Sequence, residues 1–172
     1  RNSSSEPVMT QLKRQSRLRR SMLITPGNRP ERIAKSLTLP ADCIVMDIED
    51  GVAPEQKPAA RKAIAHALHT RDFGNRERIA RINAVGTVEY HADLVALDVT
   101  LIDALFVPKV ESPDQLRELT RWLDAAEVAT NRTTPIEIVA TIETPRGLLR
   151  ALEIADAAPR TTALFFGSGD YT

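Results

Sequence analysis

Apolar residues recur along the chain in short runs at near-regular spacing: Met22-Leu23-Ile24, Cys43-Ile44-Val45-Met46, Ile79 to Ile82, Ala104 to Val107, Ile136 to Ile142 and Ala163 to Phe166. Each run is about as long as a buried strand, and most are rich in Ile, Val, Leu or Phe. Segments with helical signatures lie between them. Pro30 opens one at its first position, with Ile33 and Leu37 four apart, and Pro58 opens another that carries Ile64 and Leu68. Ser112-Pro113-Asp114-Gln115 is the strongest start signal, an N-cap Ser followed by Pro, with Gln three residues on to close a capping box. Leu116, Leu119 and Leu123 then mark one buried face. Thr144-Pro145 repeats the cap-then-Pro device ahead of Leu148, Leu149 and Leu152.

Strand and helix in regular alternation predict an α/β fold with a parallel sheet and right-handed crossovers. Two closures fit, an open doubly wound sheet or a (β/α)8 barrel. No GxGxxG follows a strand and no GxxxxGK[ST] loop is present. Polar chemistry at the ends of several different strands favours the TIM-type barrel, whose sites gather at its C-terminal rim. Six βα units fill the chain where a barrel needs eight, so residues 21–172 are expected to form a partial barrel domain.

Charge separates the first twenty residues from the rest. The chain has 172 residues, 23 of them basic and 23 acidic, but residues 1–20 hold six basic groups against Glu6 alone. The remainder is net acidic and offers no basic face for nucleic acid. Residues 1–20 read as a disordered basic arm, partly a non-native leader before Met9, with an organellar transit peptide as the less ordinary reading. Without an apolar h-region the expected compartment is the cytoplasm, and no apolar run approaches the ~18 residues that span a membrane. Cys43 is the single cysteine, which excludes an intrachain disulfide and a Cys-based zinc site.

The strand ends carry the chemistry. The second ends Asp47-Ile48-Glu49-Asp50-Gly51, and three carboxylates in four residues repel unless a cation or an Arg sits among them. A helix cap and solvated turn is the plainer reading. On the third, alternation puts Arg81 and Asn83 on one face and Ala80 and Ile82 on the other. Arg81 is a poor guest there unless its planar fork meets a carboxylate, either that of a ligand or that of Glu49. The fifth strand ends at Glu143 and the sixth at Phe166-Gly167-Ser168-Gly169-Asp170. Adjacent parallel strands lie ~4.8 Å apart, so Glu143 and Asp170 are placed to share one cation. Two carboxylates without His or Cys nearby favour Mg2+, which keeps its waters and takes substrate oxygens. His66, His69 and His91 fall in helical segments away from these ends.

At these residues the chain resembles a known family. The string from Arg20-Ser21-Met22-Leu23 through Thr25-Pro26-Gly27-Asn28-Arg29-Pro30-Glu31 is similar to the opening of citrate lyase β-subunits, within the wider group of Mg2+-dependent HpcH/HpaI-type aldolases. The likeness continues through Asp47 to Val52 with Lys57 and Arg61, Arg81-Ile82-Asn83, Val107-Pro108-Lys109-Val110-Glu111, Ile142-Glu143-Thr144, and Phe166-Gly167 with Asp170-Tyr171. It covers residues 20–172 in order. Relatives include malyl-CoA, citramalyl-CoA and citryl-CoA lyases, barrel proteins commonly assembled as trimers or hexamers.

The resemblance implies roles. Glu143 and Asp170 fall on the Mg2+ ligands, Arg81 on the arginine that grips the keto-acid half, and Glu49 and Asp50 on the acidic pair beside it. Backbone N–H groups of the turn Gly167, Ser168 and Gly169 are expected to help hold substrate oxygens. The implied activity is retro-aldol or Claisen-like cleavage of a 3-hydroxyacyl thioester, with an acyl-CoA or keto-acid substrate and a homo-oligomeric assembly. An aldolase on free keto or hydroxy acids and a non-catalytic metal- or keto-acid-binding subunit are the alternatives. Gly169 stands where many relatives carry an acidic residue. Relatives also continue past Asp170-Tyr171 with two further strands, much of the acyl-CoA contact and, in several, a catalytic Asp on a lid, so this chain is expected to be a C-terminally truncated piece with no assignable general base.

Overall fold

The computed structural model describes residues 18–169 and Tyr171. The elements run β1 (Met22–Pro26), α1 (Pro30–Ser36), β2 (Cys43–Asp47), a 3-10 turn (Pro54–Gln56), α2 (Lys57–Thr70), β3 (Glu77–Arg81), α3 (Val88–Ala96), β4 (Ala104–Val107), α4 (Pro113–Ala129), β5 (Glu137–Ile142), α5 (Pro145–Leu149), α6 (Ala151–Ala155) and β6 (Thr161–Phe166). Every apolar run named from the sequence marks a strand, with Ile82 falling one residue past β3 and Ile136 one residue before β5. The starts at Pro30, Ser112-Pro113 and Thr144-Pro145 open helices as expected, and Pro58 falls in the first turn of α2.

The strands form one sheet in the order β1-β2-β3-β4-β5-β6, and each neighbouring pair is parallel. A strictly consecutive order means that each right-handed crossover advances one strand in the same sense. The helices therefore stack on one side, and the sheet lacks the reversal that a doubly wound fold requires. Of the two closures open to the sequence, this is the barrel's winding.

Alternation along the strands sorts the two faces. Ile44, Met46, Ala80, Ile82, Leu105, Val107 and Ile138 pack outward with Ile33, Ile64, Tyr90, Leu116, Leu119 and Leu123 of the helices in the larger core. Cys43, Val45, Ile79, Phe106 and Val139 form a second cluster on the inner face. Leu116, Leu119 and Leu123 are fully buried, which is the α4 face expected from their spacing. The β5–β6 crossover is different, because its helix breaks at Arg150 into two short pieces. Leu148, Leu149 and Leu152 are exposed there, and Ile154 is the buried residue.

The N-terminal end of the inner face closes on an ion cluster. Arg19 donates from Nε and Nη2 to Glu77 at 2.7 and 2.6 Å, from Nη2 to Glu137 at 2.6 Å, and from Nη1 to Thr162 at 2.8 Å. One guanidinium thus ties β3, β5 and β6. Arg19 and Arg20, assigned from the sequence to the basic arm, are thus bonded to the sheet and its loops, Arg20 through Asp42, while residues 1–17 lie outside the described residues. Among the described residues no helix is long and apolar enough to cross a membrane.

Candidate active site

The site starts from Asp47, the last residue of β2. The sheet register sets it directly beside Arg81, the last residue of β3. Arg81 donates from Nε and Nη2 to the two Asp47 oxygens, both at 2.7 Å. The same carboxylate accepts the backbone N–H groups of Glu49 and Gly51, each at 2.8 Å. Asp47 is thereby enclosed and winds the turn 47–51 around itself. The fork of Arg81 expected to meet Glu49 or a ligand is instead filled by Asp47, and Glu49 lies beside its remaining nitrogen, Oε2 to Nη1 at 3.4 Å.

The turn presents Glu49, buried, and Asp50, exposed. Lys109, just past β4, reaches across β3 to both, its Nζ 2.6 Å from Glu49 Oε1 and 3.1 Å from Asp50 Oδ2. The Lys109 backbone N–H donates to Glu143 Oε2 at 2.8 Å. One residue therefore bonds to carboxylates from β2 and β5 at the C-terminal rim. Burial pushes Glu49 above the ordinary carboxylate range, against the opposing pull of the Lys109 hydrogen bond and the Arg81 charge. Burial also disfavours the Lys109 ammonium, but its hydrogen bonds to Glu49 and Asp50 outweigh that and raise its pKa. Arg81 follows the same pattern, with the Asp47 pair outweighing burial.

Glu143 is buried beneath Gly167. A Cβ at Gly167 would stand 2.5 Å from Glu143 Cγ and 2.7 Å from Oε1, so this position has room for the carboxylate only as glycine. The Gly167 N–H donates to the Ile142 carbonyl at 3.0 Å. That corrects the expected role of Gly167, since its N–H extends the sheet pairing and is not offered to substrate oxygens. Gly169 has open space around it. Ser168 stands between them in the turn.

Arg81, Glu49, Asp50 and Glu143 thus come together as the sequence predicts, whereas Asp170 lies outside the described residues. Asn83 does not share Arg81's surroundings as simple alternation predicts. The strand ends at Arg81, and the Asn83 amide turns to Asp93 of α3 at 2.7 Å and the Ile48 carbonyl at 3.3 Å, with Lys57 as a further donor. His66, His69 and His91 sit on α2 and α3, away from the rim. The residue that the strand-end reading missed is Lys109. Its signal was present, because it follows a strand end just as Glu49 follows β2.

Among the described residues no three His, Cys, Asp or Glu side chains gather into a metal-holding group. A cation that binds one or two carboxylates and keeps waters does not need three. The donor set fits such an ion: all oxygen, a glycine-made cradle over Glu143, and a buried Glu49 Oε2 that takes no hydrogen bond among the described residues.

A consecutive parallel sheet wound one way, with carboxylates and a paired arginine at its C-terminal rim, defines a (β/α)-barrel protein with a rim site. The chain belongs to the HpcH/HpaI aldolase/citrate lyase family, whose model matches residues 20–172. It is 36% identical over 157 residues to the citrate lyase subunit beta of Leuconostoc mesenteroides subsp. cremoris, covering 91% of this chain and 52% of that protein. To the L-malyl-CoA/beta-methylmalyl-CoA lyase of Rhodobacter capsulatus it is 36% identical over 159 residues, covering 91% and 50%. Among solved structures, a citrate lyase beta subunit complexed with oxaloacetate and magnesium from M. tuberculosis superposes with a TM-score of 0.71 at 36% identity, covering 90% of this chain and 62% of that one. The chain spans about half the length of the curated relatives it matches.

Proposed function

We propose that the protein is a Mg2+-dependent carbon–carbon lyase acting on a 3-hydroxyacyl thioester of the citryl-, citramalyl- or malyl-CoA type. One observation carries the reading: Glu49, Asp50 and Glu143 are all bonded to Lys109 at the strand ends, with Arg81 against Glu49. The names of the relatives, lyases of citrate and of a malyl thioester, support the same class.

Glu143, together with Asp170, would hold Mg2+. When bound there, the ion supplies Lewis-acid stabilisation of negative charge on substrate oxygens. With Nε and Nη2 taken by Asp47, Arg81 would receive the keto-acid carboxylate through Nη1, which it then shares with Glu49 Oε2, 3.4 Å away. Asp47 keeps the guanidinium plane fixed, so little ordering is left to do on binding. The backbone N–H groups of Ser168 and Gly169, in the turn after β6, are the further donors that this reading assigns to substrate oxygens. In the cleavage, the hydroxyl proton passes to a base and the bond between the carbinol carbon and the thioester's α-carbon breaks. The electron pair goes to the acyl side as a thioester enolate, and the carbinol carbon becomes a carbonyl. A proton then returns to the enolate carbon and gives the acyl thioester. A homo-oligomer, trimer or hexamer, accompanies this reading and is checked by light scattering.

Calorimetric titration with Mg2+ is expected to lose its signal in Glu143→Gln and in Asp170→Asn, and citryl-, citramalyl- or malyl-CoA cleavage followed by mass spectrometry is expected to need both residues. Retained Mg2+ affinity in both variants overturns the two-carboxylate site. Turnover of free hydroxy acids without thioesters favours the aldolase, and binding without turnover favours the non-catalytic subunit.

A further inference from the structure

We propose that Lys109 is a positioning residue, which fixes the acidic turn after β2 against Glu143 after β5 and balances their charge. The proposal rests on the lyase reading above for its ligands. Its structural part stands on the geometry alone.

Lys109 has a φ of +54°, in the left-handed region that a side chain rarely enters. A non-glycine residue held there is strained and persists only where its surroundings determine the conformation. The two ends of the residue show what determines it. Its N–H is directed at Glu143, and its ammonium crosses a whole strand to Glu49 and Asp50. The side chain is 41% exposed, so packing does not hold it in place. Ordering a lysine side chain also costs rotamer entropy. The carboxylates therefore supply the reason for this conformation. Arg81, the other cation near Glu49, is committed to Asp47 through two of its nitrogens. Lys109 is accordingly the cation hydrogen-bonded to both Glu49 and Asp50, and it also bonds through its N–H to Glu143, so it links the carboxylates after β2 to the one after β5.

Removing the ammonium has opposite consequences for ligands of opposite charge. One positive charge fewer beside two carboxylates attracts a cation more and repels an anion more. A residue that merely supports the fold would weaken both. Lys109→Met and Lys109→Arg both keep a Cβ at the strained position and only Arg keeps a positive charge, so their difference isolates the charge.

The experiment measures Mg2+ binding, oxaloacetate binding at saturating Mg2+, and amide hydrogen exchange over residues 49–52 in the wild type and both variants. Lys109→Met is expected to bind Mg2+ about 3-fold or more tightly and oxaloacetate about 10-fold more weakly. Exchange at the Glu49, Gly51 and Val52 amides is expected to rise about 10-fold, and Lys109→Arg to stay within about 3-fold of wild type in all three. Unchanged exchange in Lys109→Met overturns the positioning role. A parallel loss of both affinities overturns the charge-balancing role. If the wild type takes up neither ligand, the lyase reading fails and hydrogen exchange alone decides the proposal: faster exchange in the Met variant but not the Arg variant upholds it, and any other pattern overturns it.

Discussion

At the scale of single residues, one carboxylate organises the site without being offered to a ligand. Asp47 is 1% exposed and takes four hydrogen bonds, two from Arg81 and two from the turn it begins. A bidentate guanidinium–carboxylate pair fixes a plane as well as a distance. Which carboxylate meets Arg81 was not legible in the sequence, because Asp47 and Glu49 have the same parity and both suit its fork. The register decides it: β2 ends at Asp47, opposite Arg81, and Glu49 is already in the turn. Glu143 depends in turn on Gly167. Adding a methyl group there places carbon 2.5 Å from Glu143 Cγ, well inside contact distance, so the carboxylate must move. Gly167→Ala is expected to weaken Mg2+ binding about 10-fold, or about 1.4 kcal/mol, in a calorimetric titration. Melting should change little, since the clash falls on one side chain. Unaltered Mg2+ affinity would remove Glu143 from the cation site.

At the scale of elements, helix starts were the most legible feature, because their chemistry is local. Gln115 Oε1 accepts the backbone N–H groups of Glu111 at 2.8 Å and Ser112 at 3.0 Å. These donors precede the first turn of α4 and have no carbonyl partner within the helix. Gln115→Ala is expected to lower stability by about 1 kcal/mol in chemical denaturation, with ligand binding unchanged. A loss below a few tenths would mean that water replaces the cap. The strands were legible for a similar reason, since each buried run is continuous. What lies past a strand end was not. Asn83 leaves the alternation as soon as β3 stops, captured by Asp93, a fully buried carboxylate that also takes Arg61 Nε at 2.8 Å. That network joins α2 and α3 to the Ile48 carbonyl inside the acidic turn. Its partners lie 10 and 35 residues from Asn83, beyond the reach of any local pattern. Leu148, Leu149 and Leu152 show the converse, an apolar signal on a helix too short to bury it.

At the scale of the whole molecule, alternation of strand and helix predicted a parallel sheet and the polar strand ends favoured the barrel over the doubly wound closure, and the consecutive strand order bears both out. The ion cluster at the opposite end from the site was not foreseen, because Arg19 looked like part of a basic tail. Its guanidinium lies among Glu77, Glu137 and Thr162 on the inner face, where an unpaired charge would cost several kcal/mol. Cys43 reports on that end of the molecule. It is fully buried, with Sγ 3.4 Å from Glu77 Oε2, and burial followed by the Glu77 charge pushes the thiol up to about 12. An ordinary thiol ionises near ~8.5. Above that pH the unfolded chain loses a proton that the folded chain retains until about 12, so folding stability falls with rising pH across this interval. Two measurements check the arrangement. Iodoacetamide is expected to label Cys43 at pH 8 only as fast as the protein opens, and labelling should accelerate across the denaturation transition. Cys43→Ala should flatten the decline in stability between pH 9 and about 12. Rapid labelling of the native protein would mean that the inner face is open to solvent beside Glu77, and that the Arg19 cluster does not close that end of the sheet.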